Sequence, residues 1–349
     1  MKAIQVGSQF IGQQHAPAIV AELSGNHNQS LERALHIVDA MAEAGIKFLK
    51  LQTYTPDTMT LDLHEKEFFI HHAQSLWKGE SLYQLYKKAH TPWEWHLPIF
   101  ERCKKWGMIY FSTPFDISAV DFLETLNVPL YKIASFENVD LPLIRSVAKT
   151  GKPIVISTGM ANIAEIHEAV EAARSQGCKE IILLKCASIY PADPESANLL
   201  TMPHMQELFQ CQVGYSDHTE GMGAAIGAVA LGAVMIEKHC TLKRSEGGVD
   251  AAFSLEPSEM RQLVVEAERA WKAKGVVHYG VQEKEIPSLQ YRRSLYIVSD
   301  LKVGDVLTRE NLRPIRPGLG LHPKYYDLLL GRIVKKEVKR GTPMHWDLV

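Results

Sequence analysis

Net charge in this chain is too small to favour a nucleic-acid or membrane partner. Its 38 Lys and Arg stand against 40 Asp and Glu, a formal net charge of −2. That balance gives no electrostatic case for nucleic acid or an anionic lipid surface. No apolar run approaches the roughly 20 residues of a membrane span. Cysteine is scarce: Cys103, Cys178, Cys186, Cys211 and Cys240 are odd in number, scattered and form no CxxC. They read as reduced thiols. Residues Met1 to Gln14 contain no apolar core of a signal peptide, so the expected location is the cytoplasm. A GxGxxG turn after the first strand-like run is also missing, which weakens a dinucleotide-binding reading.

What is present is ordinary globular material. Apolar residues make up 46% and charged residues 22% of 349 positions, enough for a sizeable core and about two domains. Eight short apolar runs stand out: Ile19–Ser24, Phe48–Gln52, Ile109–Thr113, Leu130–Ser135, Pro153–Ser157, Ile181–Cys186, Gln212–Ser216 and Val234–His239. They read as strands buried on both faces of a parallel sheet. Amphipathic helical stretches separate them. Ser30 precedes a stripe of Leu31, Leu35, Val38 and Met41. Thr91-Pro92-Trp93-Glu94 predicts a capping box with Pro at the first helical position, and Asn162 with Glu165 predicts another. Gly107, Gly151 and Gly177 stand where helices should stop.

Eight strand–helix units over roughly 250 residues match an α/β fold, the (β/α)8 TIM barrel. A doubly wound open sheet is the rival. The connection from Tyr54 to His90 is too long for a simple loop and carries Trp77, Tyr83 and Tyr86, so we expect an ordered lid or a dimer element. The pattern changes after Val281. The predicted domains are a barrel over 1–281, a polar linker over 282–291 and a small β-rich domain over 292–349.

In such a barrel, chemistry sits at the C-terminal strand ends. In strand order these ends offer Glu22 with Asn26 and His27; Lys50 and Gln52; Ser112 and Thr113; and Lys132, Ser135 and Glu137. The remaining ends offer Ser157; Lys185 and Ser188; Ser216, Asp217 and His218; and Glu237, Lys238 and His239. Lysines and hydroxyls converging on one mouth suit a small phosphate-bearing acid. His218 and His239 on adjacent strand ends suit one divalent metal ion, and the carboxylates suit acid–base work. His64, His71 and His72 read as solvated loop residues, and Cys186 and Cys240 as core packing. A Schiff-base aldolase using Lys132 or Lys185 is an alternative that gives the histidines no role. A non-catalytic binding protein is another, and it leaves the whole charged ring unused.

Several runs carry a family resemblance. Ala21-Glu22-Leu23-Ser24, Lys50-Leu51-Gln52-Thr53, Ser112-Thr113-Pro114-Phe115-Asp116 and Lys132-Ile133-Ala134-Ser135-Phe136-Glu137 resemble the sialic acid synthase family. So do Ser157-Thr158-Gly159-Met160, Tyr215-Ser216-Asp217-His218-Thr219, Ile236-Glu237-Lys238-His239 and Ser254-Leu255-Glu256-Pro257. The C-terminal part, with Arg316-Pro317-Gly318, is similar to that family's antifreeze-like (SAF) domain. Three stretches are most similar to the pseudaminic acid branch: Gln52 to Thr60, Ala134 to Glu137, and Gly320 to Tyr325. N-acetylneuraminate and legionaminate synthesis are the alternatives within the family.

The resemblance implies condensation of phosphoenolpyruvate with an amino-sugar aldehyde, here 2,4-diacetamido-2,4,6-trideoxy-L-altrose. It implies Mn2+ or Mg2+ (or Co2+) on His218 and His239. It assigns phosphoenolpyruvate to Lys50, Thr113, Lys132, Ser135, Ser157, Ser188 and Ser216. Glu137, Glu22 and Glu237 become the catalytic carboxylates. Phe136, Tyr190, Asp250 and Arg316 become sugar contacts, with Arg316 reaching across a domain-swapped homodimer.

Overall fold

The computed structural model describes residues 1–72 and 75–349. Two compact units divide it, Met1–Gly275 and Val276–Val349. The first begins with an antiparallel hairpin, β1 (Ile4–Val6) and β2 (Gln9–Ile11). Eight parallel strands follow: β3 (Ala18–Glu22), β4 (Phe48–Thr53), β5 (Ile109–Pro114) and β6 (Tyr131–Ile133), then β7 (Ile154–Ser157), β8 (Ile181–Cys186), β9 (Gln212–Asp217) and β10 (Met235–His239). They close into a barrel, with β10 pairing both β9 and β3. Closure excludes the open doubly wound sheet. It also explains the near-continuous apolar runs, since each strand packs against the barrel interior on one face and the helices on the other.

Side chains alternate between those two faces with period two. Val20, Phe48, Phe111, Leu130, Val155, Ile182, Leu184 and Met235 pack together inside the barrel, joined by Ile4, Val6 and Ile11 of the hairpin. Ile19, Leu49, Ile133, Ile156, Leu183, Val213, Tyr215 and Ile236 instead pack outward, in one cluster with helix residues such as Ile37, Val38 and Met41. The hairpin was not foreseen, because two three-residue strands around Gly7 leave almost no periodic signal. It joins the interior cluster at the strand starts, and Gln212 Nε2 donates to Lys2 O at 3.0 Å. The strand C-termini stay free for polar groups.

Local signals set the helices. Ser30 Oγ accepts from Arg33 N at the start of the helix Leu31–Glu43. Asn162 and Glu165 form the expected capping box of Ile163–Arg174. Gly107, Gly151 and Gly177 follow their helices with φ of +67°, +72° and +90°, which a residue without Cβ adopts freely. The box expected at Thr91–Glu94 does not form. Pro92 itself is the cap of Trp93–Lys105, it makes no capping hydrogen bond, and Thr91 Oγ1 is buried without a partner.

The long connection after β4 is ordered through its described residues. It contains the short helix Pro56–Met59, a 3-10 turn at Lys66–Phe68, a bridge between Phe69 and Ser81, and the helix Leu82–Ala89. Tyr54 packs edge-on against Tyr86 and Phe115. Trp77 Nε1 donates to Val249 O at 3.1 Å, fastening the insertion to the loop after β10.

The second unit holds the antiparallel pair β11 (Ser294–Ile297) and β12 (Leu312–Ile315). Isolated bridges and a core of Leu295, Ile297, Leu301, Leu307, Leu312, Val334 and Met344 complete it. The stretch read as a polar linker carries a 3-10 helix, Glu283–Tyr291. Among the described residues no helix is long and apolar enough to cross a membrane. The five cysteines are all buried and unpaired.

Candidate active site

Strand parity sorts the charged groups at the barrel mouth. Positions in phase with the interior cluster are Glu22, Lys50, Thr113, Lys132, Ser157, Cys186, Ser216, His218, Glu237 and His239. Positions in phase with the outer cluster are Lys185, Asp217 and Lys238. The last three belong to the strand-end list but turn away from the mouth. Lys185 donates to Cys186 O at 3.0 Å. Lys238 and Asp217 pair with each other at 2.9 Å, both side chains 0% exposed. Of the two lysines offered for a Schiff base, only Lys132 faces the interior.

The inward lysines and carboxylates form one buried cluster. Lys50 Nζ lies 2.9 Å from Glu22 Oε2, 3.6 Å from Glu237 Oε1 and 3.2 Å from Thr113 Oγ1. Lys132 Nζ lies 3.5 Å from the same Glu237 oxygen, which also accepts from Ser216 Oγ at 3.0 Å. Burial raises the pKa of Glu237, but Lys132, Lys50 and Ser216 outweigh it and hold this carboxyl down at about 2. Glu22 is pushed up, by burial first and by Glu237 beside it, against the opposing pull of Lys50. Burial pushes Lys132 down. Glu237 Oε2 and Ser157 Oγ have no hydrogen-bond partner although buried. Unused polar atoms beside two lysines mark a place for a polar ligand.

The turn after β6 is a 3-10 segment, Ser135–Glu137, so the strand stops at Ile133, short of the predicted end at Ser135. It brings Ser135 and Glu137 to the mouth and leaves Phe136 58% exposed. Burial raises Glu137 to about 7, against the pull of Lys132, and its Oε2 is unpartnered. Ser135 Oγ accepts from Gly159 N at 3.2 Å. A Cβ on Gly159 would lie 2.2 Å from Ser188 Oγ and 2.6 Å from Ser135 Oγ, so Gly159 keeps the space between the two hydroxyls open. Asn138 Nδ2 spans the carbonyls of Ser157 and Gly159 at 3.3 and 3.2 Å. Asn138 has no place in the sequence-based site, and Gly159 enters it only within the run Ser157-Thr158-Gly159 at the end of the fifth strand. Their contribution is backbone room and backbone tethering, which side-chain chemistry does not announce.

The histidine pair borders this cluster. The rings of His218 and His239 have centroids 5.3 Å apart. His218 Nδ1 hydrogen-bonds Ala187 O at 3.0 Å and has Cys186 Sγ 3.7 Å away. A carbonyl only accepts, so Nδ1 carries the proton and Nε2 is the nitrogen left to face a metal. Burial lowers the pKa of this ring, but Cys186, the Ala187 carbonyl and Glu237 outweigh it and raise it. His239 is held well below the ordinary histidine value, by burial first and then by His218, Lys50 and Lys238. Its Nδ1 is buried without a hydrogen bond, 3.6 Å from Asp250 Oδ2. Among the described residues no cluster of three or more His, Cys, Asp or Glu forms a ready-made metal cage. Two imidazoles on adjacent strand ends suit a metal site that keeps positions open.

Asp250 accepts a short hydrogen bond from Ser24, and Gln52 Nε2 bridges Glu22 (2.9 Å) and Ser24 (3.2 Å). A chain of polar contacts therefore runs from Lys50 to the neighbourhood of His239. Tyr190 covers His218 at 4.4 Å between ring centroids, and Phe253 lies 5.0 Å from His239 and 5.6 Å from Tyr190. Trp77 lies 6.2 Å from Tyr190. Phe253 was not singled out, and Trp77 only as part of the long connection, because their neighbours in space are far away in the chain. His64, His71 and His72 are exposed loop residues. Arg316 is exposed on the smaller unit.

Comparison with known proteins agrees with the resemblance. The NeuB family matches residues 37–279, and the SAF domain matches 292–349. A pseudaminic acid synthase of Helicobacter pylori is 44% identical over 332 residues, 95% of this chain and 97% of its own. An N,N'-diacetyllegionaminic acid synthase of Campylobacter jejuni is 35% identical, covering 92% of this chain and 96% of its own. The crystal structure of an N-acetylneuraminic acid synthetase from Leptospira borgpetersenii, in complex with citrate, superposes with a TM-score of 0.74. It is 32% identical and covers 83% of this chain and 96% of that one. A closed barrel whose interior ends in this lysine–carboxylate–histidine mouth, matched along nearly its whole length, makes the chain a member of the NeuB family with a C-terminal SAF domain.

Proposed function

We propose that this chain is a phosphoenolpyruvate-dependent nonulosonate synthase of the pseudaminic acid branch. It joins phosphoenolpyruvate, 2,4-diacetamido-2,4,6-trideoxy-L-altrose and water to give pseudaminate and phosphate. The near full-length similarity to a pseudaminic acid synthase carries the reading, and the chemistry of the barrel mouth supports it. N-acetylneuraminate or legionaminate synthesis by the same mechanism is the alternative.

The phosphate and carboxylate of phosphoenolpyruvate take the interior cations and hydroxyls: Lys50, Thr113, Lys132, Ser135, Ser157, Ser188 and Ser216. The lysines already neutralise Glu22 and Glu237, so an entering anion exchanges partners within a low-dielectric cluster instead of leaving bare charge. C3 of phosphoenolpyruvate forms a bond to the aldehyde carbon of the open-chain sugar, whose oxygen takes up a proton. Water adds to C2 and loses a proton. The tetrahedral centre then breaks its bond to the bridging oxygen, the C2 hydroxyl gives up its remaining proton to leave the ketone, and phosphate departs. Glu137 handles the proton of that water, since a carboxyl at about 7 is poised for transfer near neutrality. Glu22, Glu237 and Asp250 orient the sugar and its hydroxyls, and Tyr190 walls it beside His218.

His218 and His239 fit a divalent ion, with one unpartnered ring nitrogen and carboxylates nearby. Such an ion, Mn2+ or Mg2+ (or Co2+), would supply polarisation of the aldehyde carbonyl. Arg316 is assigned by resemblance to the sugar's N-acyl group in a second copy of the chain, in a domain-swapped homodimer. Coexpressed R316A and K132M chains are then expected to recover activity that neither has alone; no recovery would place the arginine elsewhere. Unpaired thiols and the absence of a spanning helix among the described residues suit a cytoplasmic enzyme.

The test is phosphate release from phosphoenolpyruvate with Mn2+, comparing the diacetamido-trideoxy altrose with N-acetylmannosamine and the legionaminate precursor. Release with the altrose alone is expected. Preference for another sugar moves the chain to another branch, and no release with any of them overturns the reading. EDTA is expected to abolish turnover, whereas borohydride with pyruvate is expected to trap nothing, which separates this chemistry from a lysine aldolase.

A further inference from the structure

The proposed mechanism leaves one fully buried ionic pair unused, Asp217 with Lys238. Its setting is specific. The two residues are direct cross-strand partners in the β9–β10 ladder. Asp217 Oδ2 receives Lys238 Nζ at 2.9 Å. Asp217 Oδ1 accepts from both the backbone N and Oγ1 of Thr219, each at 2.8 Å. Lys238 Nζ also donates to the backbone carbonyl of Thr219. Both residues face outward, toward the helix layer, while Ser216, His218, Glu237 and His239 on either side of them face the mouth.

Removing two charges from water costs several kcal/mol for each ion, and an apolar pair of similar volume commonly fills such a place as well. What an apolar pair lacks is direction. Sliding one strand by a single residue would exchange every inward side chain for an outward one. Here the carboxylate and ammonium bond only in the present register, and they bond the turn that leaves His218 as well as each other. We propose that Asp217 and Lys238 are positioning residues. They pin the β9–β10 register and the Thr219 turn, and so set the separation and aim of the His218 and His239 rings for one shared metal ion. The inference rests on the proposed metal role of the histidines.

The test is the double variant D217N/K238M in the full chain. Asparagine keeps an acceptor for the Thr219 N–H and hydroxyl, and neither new side chain leaves a buried unpaired charge, so the fold is expected to persist. Three readouts follow. Mn2+ titration by electron paramagnetic resonance is expected to show about tenfold weaker binding than wild type, the scale of losing a group that orients metal ligands. KM for phosphoenolpyruvate is expected to change less than kcat. A crystal structure of the variant is expected to show the two rings displaced from their 5.3 Å separation.

Wild-type Mn2+ affinity with unmoved rings overturns the proposal. The variant H218A/H239A serves as the control for the metal reading. If it binds Mn2+ as well as wild type, or if wild type binds none, that reading fails. The pin is then judged on ring geometry alone, where unmoved rings still refute it. Should the double variant not fold, K238M alone, which keeps both Thr219 bonds to Asp217 and lets the buried carboxyl neutralise by taking up a proton, is read in Mn2+ affinity and ring geometry.

Discussion

At the scale of single residues, the site works by giving like groups unlike surroundings. Glu237 sits against two lysines and stays ionised, while Glu137, half-buried with one lysine, Lys132, pulling against its burial, rises to about 7. As a base it must be ionised in the free enzyme. Activity should therefore fall as pH drops through about 7, following the fraction of Glu137 that picks up a proton. Glu137→Gln is expected to remove that acidic limb and to lower kcat by about 10²- to 10⁴-fold. A pH profile of kcat/KM for both proteins checks it, and a limb that persists in the variant assigns the proton to another group.

Phe136 is the second residue-scale case. Its exposed ring stands at the mouth, where an aromatic wall would favour the C6 methyl of a 6-deoxy sugar over a hydroxymethyl. One such contact is worth about 1–3 kcal/mol. Phe136→Gly should erode selectivity between the altrose substrate and N-acetylmannosamine by about tenfold or more. Unchanged ratios of kcat/KM would reduce the ring to packing.

Elements decide which side chains meet. The eight apolar runs locate the eight barrel strands to within a few residues, and the polar residue ending each run marks the mouth. Parity within each run separates Lys50 and Lys132 from Lys185 and Lys238. That separation was legible in principle, since the side-chain period is two, but only once the strand's inward face was known. The turn after β6 was not legible, because Ala134 to Glu137 gives no breaker of the Gly or Pro kind. The end of β7 depends on room. Gly159 has an ordinary backbone conformation that alanine shares, so Gly159→Ala tests sterics without imposing strain. Its methyl would displace Ser135 and Ser188. KM for phosphoenolpyruvate should rise by about tenfold or more, the worth of one hydrogen bond to a charged group, with KM for the sugar nearly unchanged. Steady-state kinetics in each substrate decides this, and equal effects on both constants would point to general damage.

Across the whole molecule, stability carries its own pH signature. His96 is buried between Thr53 and the Pro92 carbonyl, and burial lowers it to about 4. In the unfolded chain a histidine takes up a proton near 6.5. Between those values the unfolded state holds more protons, so stability rises with pH there and is lost as pH falls from about 6.5 toward 4. His96 contributes at most about 1.4 kcal/mol per pH unit. His27, also lowered to about 4 by burial, adds a similar share. Urea denaturation at several pH values should show the slope, and His96→Gln should lessen it whatever happens to the level at neutral pH. A slope unchanged by the substitution would assign the effect to other groups.

The sequence by itself determined the barrel, the strand ends and the kinds of groups offered there, because periodicity and turn chemistry are local and act within a few residues. It also determined the family, because the motifs stand in order along nearly the whole chain. Only the tertiary structure decided which lysines enter the mouth, that Phe253 and Trp77 join Tyr190 around the histidines, and that Asp217 spends its charge on Lys238. Those outcomes depend on closure of the barrel, which fixes facing and register between residues up to more than 200 positions apart, and on burial, which sets each ionisation only after the neighbours are in place.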